Sequence, residues 1–138
     1  MKCAYPACIY KENSGKYSIV FPDLNDLATF GDTLDEAMAM AVDCLAGHIY
    51  TLMLEGEEIP VPSELKNIIP EKYEEVIDSY TSMIFVDVIE YAELHFNKAV
   101  KKTLTIPSWL NTIAVSRNIN FSKILKKALI EELRIKER

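Results

Sequence analysis

Residues 101–106, Lys-Lys-Thr-Leu-Thr-Ile, alternate polar and apolar side chains at the period of a β-strand, and helical sequence follows them. Leu104 and Ile106 fall on one face; Lys101, Thr103 and Thr105 fall on the other. Pro107 opens a helix, where its missing N–H costs nothing. Trp109, Leu110, Ile113 and Ala114 give that helix an apolar face. Asn118-Ile119-Asn120 breaks it: Asn118 tolerates the left-handed conformation, and Asn120 caps a second helix from Phe121 to about Ile135. Phe121, Ile124, Leu125, Ala128 and Leu133 are its expected buried residues. A lone strand leaves its N–H and C=O groups unpaired, and so short a segment cannot build an adequate core. A second copy answers both needs: two strands pair antiparallel and four helices pack around them. Such a ribbon fits the DNA major groove and presents Lys101, Thr103 and Thr105 to it. The start of the second helix, at Ser122 and Lys123, offers backbone N–H groups to a phosphate. The alternative for this segment is a helical hairpin packed on the rest of the chain.

The charge is distributed to match. Residues 1–95 carry 5 Lys/Arg and 18 Asp/Glu; residues 96–138 carry 10 and 3. A front part at -13 and a tail at +7 predict two partners, one basic and one acidic. We expect a front domain over 1–95 and a tail domain over 96–138, with a hinge near 92–100.

The front part reads as α+β. Residues 3–11 and 16–21 flank the turn cluster Glu12-Asn13-Ser14-Gly15, which predicts a β-hairpin. Pro22-Asp23 ends the second strand, and a short third strand over 27–30 stops at Gly31. Asp32 or Thr33 caps a helix that runs to about Glu55, with Gly56 as its stop. Leu34, Ala37, Met38, Ala41, Leu45, His48, Ile49 and Leu52 form its apolar face. Short helical turns are expected at 64–69 and 71–77. Met83 to Ile89 reads as a central strand buried on both faces. One long helix then covers one sheet face.

The tail resembles the ribbon-helix-helix repressors over about residues 100–135, through KTLTIP, SWLNTIAVSRN and NINFSKILKKALIEEL. Lys102 departs from that pattern, standing where an apolar residue is usual; its stem can snorkel at the ribbon's end. In the front part, YSIVFPDLNDLATFGDTLDEAMAMAVDCL resembles the signature of HicB antitoxins. The resemblance implies a partly degraded RNase H-like domain that binds and blocks a HicA-type toxin, itself an mRNA-cleaving protein. It also implies a homodimeric tail that represses the chain's own operon, and it leaves open whether dimers pair into tetramers. Asn25-Asp26-Leu27 departs from the Pro-Gly-Cys common in relatives, which predicts a changed loop on an unchanged fold. The other reading is a plain ribbon-helix-helix regulator whose front domain senses a ligand or oligomerises.

Catalytic signals are absent from the sequence: no GxSxG, P-loop, GxGxxG or HExxH occurs. His48 lies on the apolar side of the long helix and His95 near the hinge. Two-metal hydrolysis needs converging carboxylates, yet residues 3–11 hold no Asp or Glu. Asp23, Asp26, Asp32 and Asp35 fall in loops or at a helix start. A residual nuclease is therefore the weaker alternative, and we expect no enzyme activity, no cofactor and no metal. Cys3, Cys8 and Cys44 lack CxxC spacing and are expected as free thiols, with Cys3 and Cys8 on opposite faces of one strand. No apolar run approaches the ~20 residues of a membrane span, and the N-terminus has no extended apolar stretch, so a cytoplasmic protein is expected.

Overall fold

Tyr5, Ala7 and Ile9 are buried on one side of the first strand, and Pro6, Cys8 and Tyr10 on the other. In the computed structural model, which describes residues 1–96 and 98–135, this strand is the centre of the front unit. Strand β1 (Lys2–Glu12) pairs antiparallel with β2 (Tyr17–Phe21) on one edge and with β4 (Val76–Asp87) on the other. Strand β3 (Leu27–Gly31) completes a sheet of order β3-β2-β1-β4. The registers Ile9↔Ile19, Tyr5↔Ile84 and Phe21↔Leu27 put one residue set on one face.

Helix α1 (Leu34–Glu55) covers that face. The Thr33 hydroxyl accepts the Glu36 N–H at 3.1 Å, and Asp35 and Glu36 sit at the positive end of the helix dipole. Ala37, Ala41, Leu45, Ala46 and Ile49 are its buried residues, packed with Tyr5, Ile9, Ile19, Phe21 and Ile84. The expected face is therefore narrower than read: Leu34 is exposed and Met38 and His48 only half-buried. Gly56 takes φ +67° and ends the helix, and Glu57 N–H bonds back to the Leu52 carbonyl at 2.9 Å. By length and composition α1 is apolar enough to cross a membrane. Its buried stripe on a sheet, with Asp43 and other acids facing outward, is the pattern of a core helix.

Residues 57–75 cross to the opposite sheet face as a pinned connector. Asp23 accepts both the Ser63 N–H and the Ser63 hydroxyl, each at 2.7 Å. The Tyr5 hydroxyl donates to the Pro60 carbonyl, and Tyr10 accepts the Glu71 N–H at 3.1 Å. One 3-10 turn at Leu65–Asn67 answers the first expected helical turn. The second does not form, because 71–75 is tied along the sheet: Asn13 N–H reaches the Glu75 carbonyl at 2.8 Å.

The strand expected at 83–89 needs the largest correction. β4 begins at Val76, ends at Asp87 and lies at the sheet edge. Ile84 and Val86 are buried, whereas Met83 and Phe85 are 40% and 59% exposed. Val88 and Ile89 instead open a short helix, α2 (Val88–His95), which the apolar pattern concealed. Asp87 caps it, accepting the Glu90 N–H at 3.3 Å. Tyr91 donates to Asp43 on α1 at 2.9 Å, and Phe96 packs against Tyr50 and Tyr91.

The chain divides into two units, Met1–Lys98 and Ala99–Arg138. In the second, α3 (Ser108–Ser116) and α4 (Phe121–Glu132) are joined by a turn in which Asn118 has φ +53°.

Close approach decides one position in the front unit. A Cβ on Gly31 would stand 2.4 Å from the Ala37 amide nitrogen at the start of α1. Gly31→Ala must push the helix off the sheet and should cost about 1–3 kcal/mol or more. Ile49→Ala, which opens a cavity instead, should cost about 2–5 kcal/mol. Urea unfolding of the two variants against the parent checks both.

Candidate functional site

Two surfaces carry the candidate residues, one in each unit. In the C-terminal unit, residues 101–107 join no ladder and take no regular structure. The expected strand is thus not present in the single chain, and the physical reason is that no partner strand exists among its described residues. Lys101, Thr103, Thr105, Ser122 and Lys123 are all exposed. Lys102, Leu104 and Ile106 line a gap of about 300 Å³ together with Phe121, Ser122 and Leu125. Lys102 therefore shares the side of Leu104 and Ile106.

The helical turn of this unit follows from its sequence. Ile119 N–H returns to the Ala114 carbonyl at 3.1 Å, closing α3 around the left-handed Asn118. The Asn120 side chain accepts the Lys123 N–H at 3.0 Å, so that amide is already occupied. The Phe121 and Ser122 amides, in the same first turn, lack an intrahelical partner by geometry.

The burial of this unit is the decisive observation. Neither α3 nor α4 has a buried residue. Trp109 is 65% exposed, Leu104 62% and Phe121 45%, and Ile113, Val115, Ile124 and Leu133 are exposed too. Of the residues expected as the core of the second helix, Phe121, Ile124, Ala128 and Leu133 are open in one chain and Leu125 is half-buried. Helices with this much apolar surface need a cover to be stable.

In the front unit, the sheet face away from α1 holds a groove. A cavity of about 530 Å³ is lined by Tyr10, Val20, Ala28 and Tyr73, with Glu12, Glu74 and Glu75 at its border. A neighbouring cavity of about 260 Å³ shares Tyr10, Val20 and Tyr73 and adds Cys8, Asp26 and Glu71. Tyr10 and Tyr73 meet edge to face with centroids 5.4 Å apart. The Glu12 carboxylate accepts the Ser18 hydroxyl at 2.7 Å. Asn25 and Asp26 both take φ +56°, so the departing loop is a left-handed turn that short polar side chains tolerate. Sequence reading did not find this groove. Its acids belong to distant segments, and only the connector's path brings them together.

The groove is an apolar floor with an acidic border, suited to a basic, partly apolar surface. Among the described residues no three His, Cys, Asp or Glu side chains gather as a metal-binding group. The cysteines are free, with Cys3 and Cys8 on opposite sheet faces; burial pushes all three thiols up from their ordinary range, away from the reactive thiolate. His48 is half-buried on α1, and His95 stacks on Tyr91.

Comparison with known proteins covers both units. A family model described as "HicB_like antitoxin of bacterial toxin-antitoxin system" matches residues 5–128. An uncharacterised 14.9 kDa protein from the rep-hol intergenic region of Haemophilus phage HP1 is 32% identical over 106 residues, spanning 77% of this chain and 74% of the phage protein. Antitoxin HicB 1 of Photorhabdus laumondii is 36% identical over 58 residues, a match to 42% of this chain and 37% of that protein. A chain of a toxin–antitoxin complex from Streptococcus pneumoniae superposes with TM-score 0.60 at 30% identity, covering 96% of this chain and 99% of that one. The antitoxin HicB of Burkholderia pseudomallei shares the fold, with TM-score 0.53 at 22% identity over 97% of this chain and 98% of that one.

The groove gives a direct titration test. Tyr73 donates to the Glu71 carboxylate at 2.6 Å, and this hydrogen bond is the main reason its phenol is pushed up to about 12. In Glu71→Gln the charge is gone, and the phenol should return toward its ordinary value. Absorbance titration of phenolate should show one tyrosine moving to lower pH. Superimposable curves for parent and variant would remove Glu71 as the partner.

Proposed function

Because this chain belongs to the HicB-like antitoxin family of bacterial toxin–antitoxin systems, we propose that it neutralises a HicA-type mRNA-cleaving toxin through its front unit and represses its own operon through its C-terminal unit. The observation that carries the second half is the unburied C-terminal unit. Two copies cover each other's Leu104, Ile106, Trp109 and Phe121, and their 101–106 segments pair as the two strands of a ribbon. Ribbon-helix-helix pairing makes Lys101, Thr103 and Thr105 the groove-reading side, opposite the residues that line the gap with α4. Ser122 and Lys123 lie at the helix start, where a DNA phosphate meets the Phe121 and Ser122 amides and the Lys123 ammonium.

The charge supports the division of labour. Residues 96–138, at +7, attract DNA phosphates, and residues 1–95, at -13, attract a basic RNA-binding toxin. The role is binding, in the cytoplasm, without catalysis: the front unit masks the toxin and the RNase H-like ancestry supplies a scaffold. No acid of the front sheet is needed for chemistry in this reading, since Asp23 holds Ser63 and Glu12 holds Ser18.

Two outcomes test it. Thr103→Ala and Thr105→Ala should each cost about 1–3 kcal/mol on operator DNA and far less on random DNA. Lys123→Ala should weaken binding to every sequence and flatten its salt dependence. Fluorescence anisotropy on DNA from upstream of the gene reads both, and equal losses from the Thr variants on all DNA would reject base reading. Association with the toxin encoded beside this gene should slow as salt rises, and it should survive all three substitutions. Stopped-flow mixing at several ionic strengths measures this; a rate indifferent to salt would reject steering by the acidic unit.

A further inference from the structure

The geometry points to a trough on the sheet face away from α1 as the seat of the toxin, filled by a segment that sets an apolar side chain among cations. This deepens the antitoxin reading and rests on it. Strand register builds the floor. Tyr10↔Ser18 and Ser18↔Phe30 form one cross-strand row, and Cys8↔Val20 and Val20↔Ala28 form the next. Both rows lie on the face away from α1, because side chains alternate along each strand. Cavities of about 260, 530 and 230 Å³ follow one another along these rows. The first two share Tyr10, Val20 and Tyr73; the last two share Glu12, Ser18 and Ala28.

The borders set the charge of the occupant. Glu12, Glu74 and Glu75 line the middle cavity, and Asp26 and Glu71 line the first. Glu71, Glu74, Glu75 and Asp26 are exposed. Lys16 is the only Lys or Arg that lines any of the three cavities, and its ammonium turns to Asp32 at 3.9 Å. Five carboxylates around one such cation repel nucleic acid and attract Lys or Arg. The stems of those side chains pack on tyrosine rings such as Tyr10 and Tyr73, with the charged ends among the acids.

The floor sets its other half. Val20 and Ala28 leave a shallow apolar centre, and Phe30, 66% exposed at the far end, extends it to β3. The trough crosses three strands and is open along its length, a form that admits a segment of a protein rather than an enclosed small molecule. A protein that grips RNA carries cations for the phosphates beside apolar or aromatic side chains for the bases. That mixture is the complement of this trough: cations meet the acidic border, and the apolar side chains meet the floor. The border governs encounter and the floor governs retention.

Biolayer interferometry of the full chain on immobilised toxin, the one encoded beside this gene, tests the seat. Ala28→Arg fills the floor from an exposed position, and Glu74→Lys with Glu75→Lys reverses the border. Each should weaken toxin binding about 10- to 100-fold, the first mainly through the off-rate and the second mainly through the on-rate. Glu57→Lys with Glu58→Lys makes the same change of charge outside the trough and should shift the affinity less than about threefold. Equal weakening by all three variants means that net charge alone attracts the toxin, and it overturns the seat. Parent-like affinity in both trough variants overturns it too, while the antitoxin reading stands on another surface. A parent that does not bind the toxin overturns that reading and this inference with it. A trough variant whose mass falls in light scattering without toxin shows a second copy in the trough, which also overturns the toxin seat. Should circular dichroism show Ala28→Arg unfolded, amide exchange on the parent with and without toxin decides. Protection gained over residues 71–75 supports the seat, and protection gained only on α1 rejects it.

Discussion

Strand β1 holds ladder bonds on both edges and apolar contacts on both faces. Its odd residues meet α1 and its even residues face the connector, so both layers pack on β1. Uncharged side chains from Cys3 to Tyr10 make that burial affordable, because no carboxylate must be desolvated there. The close seat of α1 depends on the same sheet: Gly31 has no Cβ to hold Ala37 away, and the alanines at 37, 41 and 46 let helix and strands approach.

The connector turns this two-layer unit into one with a shaped second face. It is held by polar bonds rather than by a deep apolar core: Asp23 to Ser63, Tyr10 to Glu71, Asn13 to Glu75. Those bonds carry Glu71, Glu74 and Glu75 to the border of a groove floored by Tyr10 and Val20. Acidity spread along the sequence is thereby gathered beside apolar surface, which is the combination that attracts a basic partner and then retains it. The C-terminal unit works by the opposite logic. It keeps its apolar side chains outside, and its stability is a matter of what covers them.

Local signals were read well where one residue type has one job. Thr33, Gly56, Asn118 and Asn120 sit at helix ends as the sequence suggests, because capping and left-handed geometry depend on the residue itself. The hairpin and the long helix were legible for the same reason. The run Met83–Ile89 was not. Its apolar residues serve three different surroundings: Ile84 and Val86 under α1, Met83 and Phe85 at an open edge, Val88 inside the start of α2. Asp87 and Glu90, spaced as a capping pair, were the available sign of that helix. The residues proposed to meet DNA, Lys101, Thr103, Thr105, Ser122 and Lys123, were legible as exposed polar positions. The acidic groove was not, since its lining comes from β1, β2, β3 and the connector.

By itself the sequence determined the periodicities, the helix ends, the opposite charges of the two parts and the family to which the chain belongs. These depend on residues near one another, or on sums over many residues. Tertiary structure alone decided which strand lies at the centre, which edge stays open, and how the connector brings distant acids together. Those outcomes depend on pairing between segments far apart in the chain. A period of two states that a strand has two faces; it does not state what stands against either of them.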